Sequence, residues 1–310
     1  MPSSISSSDR RFLRALALWT AGLAVGFNLV VAYGLQHWRW LDRRHDLAKF
    51  EAAVNIEDYV LNYRRCPVVV LGSSVVAAVP PPGWERPGVC SVAILGQGAL
   101  LGLAVMARIP AAPRVLFVEA SFGFRDAPPD QVETYADPGL RALHRWFPLS
   151  AAKANWINML GKAQDAVQGA LYRPDQPWAA WRTEHQPYSD IYARIYGAPI
   201  DAGARRHLDA NLAQTRSLIA EMETRGTKVI FFEAPLDPRL AGLPIVSVWH
   251  DMMRAAFADH DWVADAPEKY YLTDGMHFTS GSGADFYDLL LSQVPVGVLP
   301  AATGSPGQRN

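Results

Sequence analysis

The 310-residue chain is poor in cysteine and carries little excess charge, and it has no internal repeat and no low-complexity tract. Its only cysteines, Cys66 and Cys90, stand far apart with no histidine cluster beside either. That rules out the paired-ligand spacing of a structural zinc site, so no metal is expected. Twenty-nine basic residues nearly balance thirty acidic ones, for a formal net charge of −1. No overall field recruits a polyanion, and nucleic acid is excluded as a partner. Nothing in the sequence calls for a cofactor.

What the chain does have is apolar sequence. Hydrophobic residues make up 50% of it and charged residues 19%, a balance that suits a globular domain with one membrane segment. Residues 15–35, ALALWTAGLAVGFNLVVAYGL, are interrupted only by Thr20 and Asn28. About 20 apolar residues are what a helix needs to cross a hydrocarbon core. Arg10, Arg11 and Arg14 precede the run, as a cytoplasmic flank would. The expectation is a cytoplasmic 1–14, a transmembrane anchor at 15–35 and a connecting helix within 36–65. A cleaved signal peptide ending near Ala32-Tyr33-Gly34 is the competing reading.

Beyond the anchor, short continuous apolar runs alternate with helical patterns. Pro67–Leu71, Ser91–Leu95, Val115–Val118, Lys228–Phe232 and the weaker Trp262–Ala264 read as strands buried on both faces. Residues 46–65, 98–109, 201–225 and 282–294 read as helices, the third closed by Gly226. Alternation of this kind predicts a parallel sheet covered on both faces, with sites gathered at the C-terminal strand ends. The segment 121–200 breaks the rhythm. It carries Trp146, Phe147, Trp156, Tyr172, Trp178, Trp181, Tyr188, Tyr192 and Tyr196, and is expected to be an insertion beside the strand ends. Its aromatics serve either as a sugar platform or as the insertion's own core. Residues 301–310 are expected to be a disordered tail.

Cys66 and Cys90 each stand just before a strand. If those strands are parallel neighbours, the thiols share one end of the sheet and can bridge. The alternative is two buried free thiols.

Two segments carry chemistry. Ser74 follows a buried strand and a glycine, which lets the chain turn sharply and leaves a hydroxyl at the strand tip. Asp274 and His277 are three residues apart ahead of a helix, a spacing that can put carboxylate and imidazole on the same side of a tight turn. A nucleophile, a base and a group that orients the base are what acyl transfer requires.

A serine after the first strand and a D-x-x-H before the last helix resemble the SGNH (GDSL-like) hydrolase superfamily, over about residues 66–294. Val70-Leu71-Gly72-Ser73-Ser74 looks like that family's first motif, in which the nucleophile lies two residues after the glycine. The resemblance thus selects Ser74 over Ser73. Ile94-Leu95-Gly96-Gln97-Gly98-Ala99 looks like the second motif and implies an oxyanion donor at Gly98, with Gly96 as the alternative. Such donors contribute roughly 3–4 kcal/mol to an acyl-transfer transition state. The third motif departs. Phe117-Val118-Glu119-Ala120-Ser121-Phe122 has no asparagine where minimal members place a further oxyanion donor, which leaves Ser121 or a backbone amide for the role. Glu119, Arg125 and Glu233 are candidate substrate contacts, or else structural caps and salt-bridge partners.

The resemblance implies a three-layer α/β/α sandwich with a mostly parallel, flavodoxin-like sheet over residues 66–300. In architecture the chain is similar to membrane-anchored, periplasm-facing SGNH-like O-acyltransferases. That likeness implies a bacterial inner-membrane protein with its catalytic domain in the periplasm, acting on a polysaccharide or acylated glycan. It also implies a membrane-bound O-acyltransferase or glycan synthase as partner. The expected activity is serine-dependent acyl transfer or deacylation through Ser74, His277 and Asp274. The alternative is a non-catalytic subunit that keeps the fold to bind or assemble.

Overall fold

A computed structural model of the chain describes residues 7–37, 48–81, 84–152, 187–263 and 269–299. It divides the chain into two compact units, one of residues 1–47 and 142–172, the other of 48–141 and 173–310.

In the first unit the main element is helix α1 (Ser7–His37). Its outward residues include Leu16, Leu18, Trp19 and Leu23, all exposed. The expected transmembrane anchor is corrected here. Among the described residues no helix is long and apolar enough to cross a membrane. The described part of α1 is interrupted by Arg14, Thr20 and two glycines, Gly22 and Gly26. The span at 15–35 is withdrawn, and with it the cytoplasmic 1–14 and the single-pass inner-membrane placement with a periplasmic domain.

The second unit opens with α2 (Ala48–Asn62), which buries Val54, Ile56, Tyr59 and Val60. Five strands follow: β1 (Val68–Ser73), β2 (Val89–Ile94), β3 (Val115–Glu119), β4 (Lys228–Phe232) and β5 (Asp261–Val263). They form one sheet in the order β2-β1-β3-β4-β5, and every pair is parallel. Each residue of β1 and β3 is buried, because both strands lie inside a sheet covered on two faces. Residues 46, 47, 264 and 301–310, on which sequence expectations fell, lie outside the described residues.

Between β2 and β3 runs α3 (Ala99–Arg108). Then come α4 (Pro129–Ala136), α5 (Pro138–Trp146), α6 (Pro187–Tyr196) and α7 (Ala202–Thr224) before β4. After β4 come α8 (Pro238–Ala241) and α9 (Pro244–Ala256), and α10 (Ser280–Ser292) follows β5. Adjacent strand residues point to opposite faces, and Phe231 and Phe232 show both layers. The Phe231 ring meets Phe257 at 4.5 Å and Trp262 at 5.0 Å, whereas Phe232 meets Phe286 of α10 at 5.7 Å.

Cys66 and Cys90 form a disulfide with Cα atoms 5.5 Å apart. The register that pairs Val69 with Cys90 places the two residues side by side at the starts of β1 and β2.

Candidate active site

The order β2-β1-β3 makes the chain leave β1 in one direction towards β2 and in the other towards β3. Such a reversal opens a crevice beyond the carboxyl ends of the strands. Ser73 ends β1 and Glu119 ends β3, so both sit at this crevice.

The two adjacent serines play different parts. Ser73 is 1% exposed, donates its backbone N–H to Glu119 Oε2 at 2.5 Å, and accepts Val75 N–H on its hydroxyl. It thereby caps a short 3-10 turn, Ser74–Ala78. Ser74, the first residue of that turn, aims its Oγ at His277 Nε2, 3.0 Å away.

His277 in turn places Nδ1 at 2.6 Å from Asp274 Oδ2. An ionised carboxylate only accepts, so Nδ1 carries the proton and Nε2 is left to accept from the Ser74 hydroxyl. The other Asp274 oxygen, Oδ1, accepts the N–H groups of Met276 and His277 at 3.1 and 2.9 Å. Burial pushes this carboxyl up, but its bonds to His277 and to the two amides outweigh burial and hold it below the ordinary range. The loop is closed by the Leu272–Phe278 bridge and by Thr273 N–H donating to the His277 carbonyl at 2.8 Å. Gly275 turns the chain at φ 90°, a conformation that costs other residues. Its carbonyl accepts Asp237 N–H at 2.7 Å. Thr279 then caps α10, accepting Ser282 N–H, and so fixes where the loop ends.

Gly96 and Gly98 follow β2, whose Ile94 pairs with Ser73, so their loop emerges beside Ser74. Gly98 is the N-cap of α3, and its Cα faces the Phe122 carbonyl in the loop after β3. The amides that open α3 are therefore at the same rim as Ser74, where a helix N-terminus favours negative charge. Arg125 ties these loops together. It donates to the Gln97 carbonyl at 3.3 Å and lies over the rings of Phe122 and Tyr196. Phe122, Phe124, Tyr192 and Tyr196 form one ring cluster, with centroids 5.4 to 6.4 Å apart along the chain of contacts. In this part of the insertion the aromatics pack on one another. Trp156, Tyr172, Trp178, Trp181 and the Tyr188 side chain lie outside the described residues.

Other candidates sit elsewhere or face inward. Ser121 Oγ accepts Ala234 N–H at 2.9 Å and joins the ends of β3 and β4. Glu233 pairs with Arg254 Nε at 2.6 Å and His250 Nε2 at 2.8 Å, and Arg254 stacks on Trp262. Glu119 is 2% exposed and lies behind the Ser74–Ala78 turn. Sequence reading missed two supports of the loop after β3. Trp249 donates Nε1–H to the Ala120 carbonyl at 2.9 Å, and Asn211 donates to the Phe124 carbonyl at 2.9 Å. Only their position among apolar helix residues could have flagged them. Among the described residues no group of three or more His, Cys, Asp or Glu side chains is placed to hold a metal ion.

No protein-family model matches the chain, and no curated protein matches it.

Proposed function

We propose that the chain is a serine-dependent acyl-transfer enzyme of the SGNH type, with Ser74 as nucleophile, His277 as base and Asp274 as the group that orients it. The continuous Ser74–His277–Asp274 hydrogen-bond chain, at 3.0 and 2.6 Å, carries this reading. His277 Nε2 takes the Ser74 proton as Oγ attacks an ester carbonyl, and the resulting oxyanion faces the amides around Gly98. The ester C–O bond then breaks, and the leaving alcohol receives the proton from His277. The acyl group on Ser74 next passes to a sugar hydroxyl or to water, which His277 deprotonates in turn.

Carbohydrate O-acyl esters, O-acetyl above all, are the proposed substrate class, supported by the architectural likeness of the Gly-Ser-Ser first motif and the long mid-domain insertion to glycan-modifying SGNH-like proteins. A fluorophosphonate probe is expected to label Ser74 in the purified chain and to leave Ser74→Ala unlabelled. The same variant is expected to lose hydrolysis of an aryl acetate by roughly 10³-fold or more. Equal hydrolysis by Ser74→Ala overturns the reading. The missing third-motif asparagine, with Ser121 already engaged by Ala234, favours one alternative: a binding or assembly subunit. An unlabelled wild-type Ser74 selects that alternative.

A further inference from the structure

Glu119 is a buried acidic side chain at the crevice that the reaction above does not use. It ends β3, is 2% exposed, and lies directly beneath the turn that presents Ser74. Three observations set it apart from an ordinary buried acid. Its Oε2 accepts the N–H of Ser73, the residue immediately before the nucleophile. Its Oε1 is buried with no hydrogen-bond partner among the described residues. Its Cβ also fits against β1 only because residue 72 is glycine, since a Cβ there would stand 2.7 Å from it.

Ser73 pairs with Ile94 of β2 on one side, but on the β3 side it has no strand partner, because β1 and β3 are in register only as far as Leu71 and Val118. Past Leu71 the carboxyl of Glu119 does for Ser73 what a neighbouring carbonyl does further down the sheet. Gly72 lets that carboxyl come close enough. The bond fixes the last peptide of β1, and that peptide sets the direction from which Ser74 Oγ leaves the turn.

Building on the acyl-transfer reading, we propose that Glu119 is a positioning residue for Ser74, acting as an uncharged hydrogen-bond acceptor for the Ser73 amide. A full negative charge at this depth would be met by hydrogen bonds from Ser73 alone, with Oε1 left bare, less than a buried carboxylate needs. Burial pushes the carboxyl above its ordinary range, and the Ser73 bonds, Arg125 and His277 pull it back only in part. Arg125 and His277 are the charged or titratable groups that act on it. A neutral Glu119 lays no field on His277.

Full-length Glu119→Gln, Glu119→Asp and Glu119→Ala, with wild type, decide the matter through aryl-acetate kinetics and fluorophosphonate labelling. Glutamine keeps an acceptor oxygen at the same reach, aspartate is one methylene short, and alanine has none. The Ala and Asp variants are expected to lose about tenfold or more in kcat at little-changed KM, the signature of a misplaced nucleophile. The Gln variant is expected to stay within about threefold of wild type, with the acid limb of its kcat/KM profile at the same pH. Wild-type kcat in Glu119→Ala overturns the proposal. So does a Gln variant as damaged as Ala, or one whose acid limb moves to lower pH, and these two results serve even where the truncations do not fold. A wild-type Ser74 that resists labelling ends the acyl-transfer reading and this one together. A labelled wild type with an unaffected Ala variant ends this one alone.

Discussion

At the scale of single residues, two carboxyls of opposite behaviour bear on one serine turn, Glu119 through the Ser73 amide and Asp274 through His277. Asp274 is held below the ordinary carboxylate range, so its contribution to stability is complete above about pH 3.9 and is lost as pH falls through its folded-state value. Glu119 is pushed up, so its contribution is complete below about pH 4.3 and is lost as pH rises through its folded-state value. Urea unfolding across a pH series is therefore expected to give two opposite trends. Glu119→Gln gains on wild type as pH climbs above about 4.3, and the deficit of Asp274→Asn shrinks as pH drops below about 3.9. Parallel curves for both variants would contradict the assignments. Asp274→Asn is also expected to lower kcat by about 10³–10⁴-fold at neutral pH, because the amide no longer fixes the His277 tautomer. The three residues of the hydrogen-bond chain were legible in the sequence because strand-Gly-Ser-Ser and D-x-x-H are local patterns. The part taken by Glu119 was not legible. It depends on the register of β1 against β3, which no local pattern encodes, and the residue read equally well as a substrate contact.

At the scale of elements, the loop from Leu272 to Phe278 is a small clamp built around one left-handed residue. Gly275→Ala has to hold φ near 90° and brings its Cβ to 3.1 Å from the Asp237 side chain. It is expected to cost about 1–2 kcal/mol in unfolding free energy. Slower fluorophosphonate labelling should accompany that loss, because the same backbone sets the His277 ring. Wild-type stability and labelling in this variant would show that the turn has slack. The interior strands were readable as continuous apolar runs, and β1, β3 and β4 fall where those runs predict. Edges were harder to read. β2 starts at Val89, ahead of its apolar run, because pairing with β1 recruits half-buried residues. α10 starts at Ser280 rather than 282, because the Thr279 cap acts upstream of the apolar pattern. The N-terminal run misled for a related reason. Composition over residues 15–35 satisfied a length rule, and a helix did form there. No described helix, however, is long and apolar enough to cross a membrane.

At the scale of the whole molecule, the disulfide constrains the unfolded chain more than the folded one. It closes a sequence separation of 24 residues between Cys66 and Cys90, for which the chain-entropy model gives roughly 3–4 kcal/mol. Replacing both cysteines by alanine is expected to lower the urea midpoint by a corresponding amount while Ser74 in the folded fraction still labels. The bond joins the starts of β1 and β2, at the end of the sheet away from Ser74. Loss of labelling in the folded variant would mean that the far end of the sheet helps set the site. The α/β class was legible from the alternation of elements. The order β2-β1-β3-β4-β5 was not, since apolar runs give the strands without their neighbours. The hydrogen bond between Ser74 and His277 spans 203 residues. The serine is therefore synthesised 203 residues ahead of its imidazole partner. On the acyl-transfer reading, a nascent chain that has not yet reached His277 carries a strand-tip serine with no base to activate it.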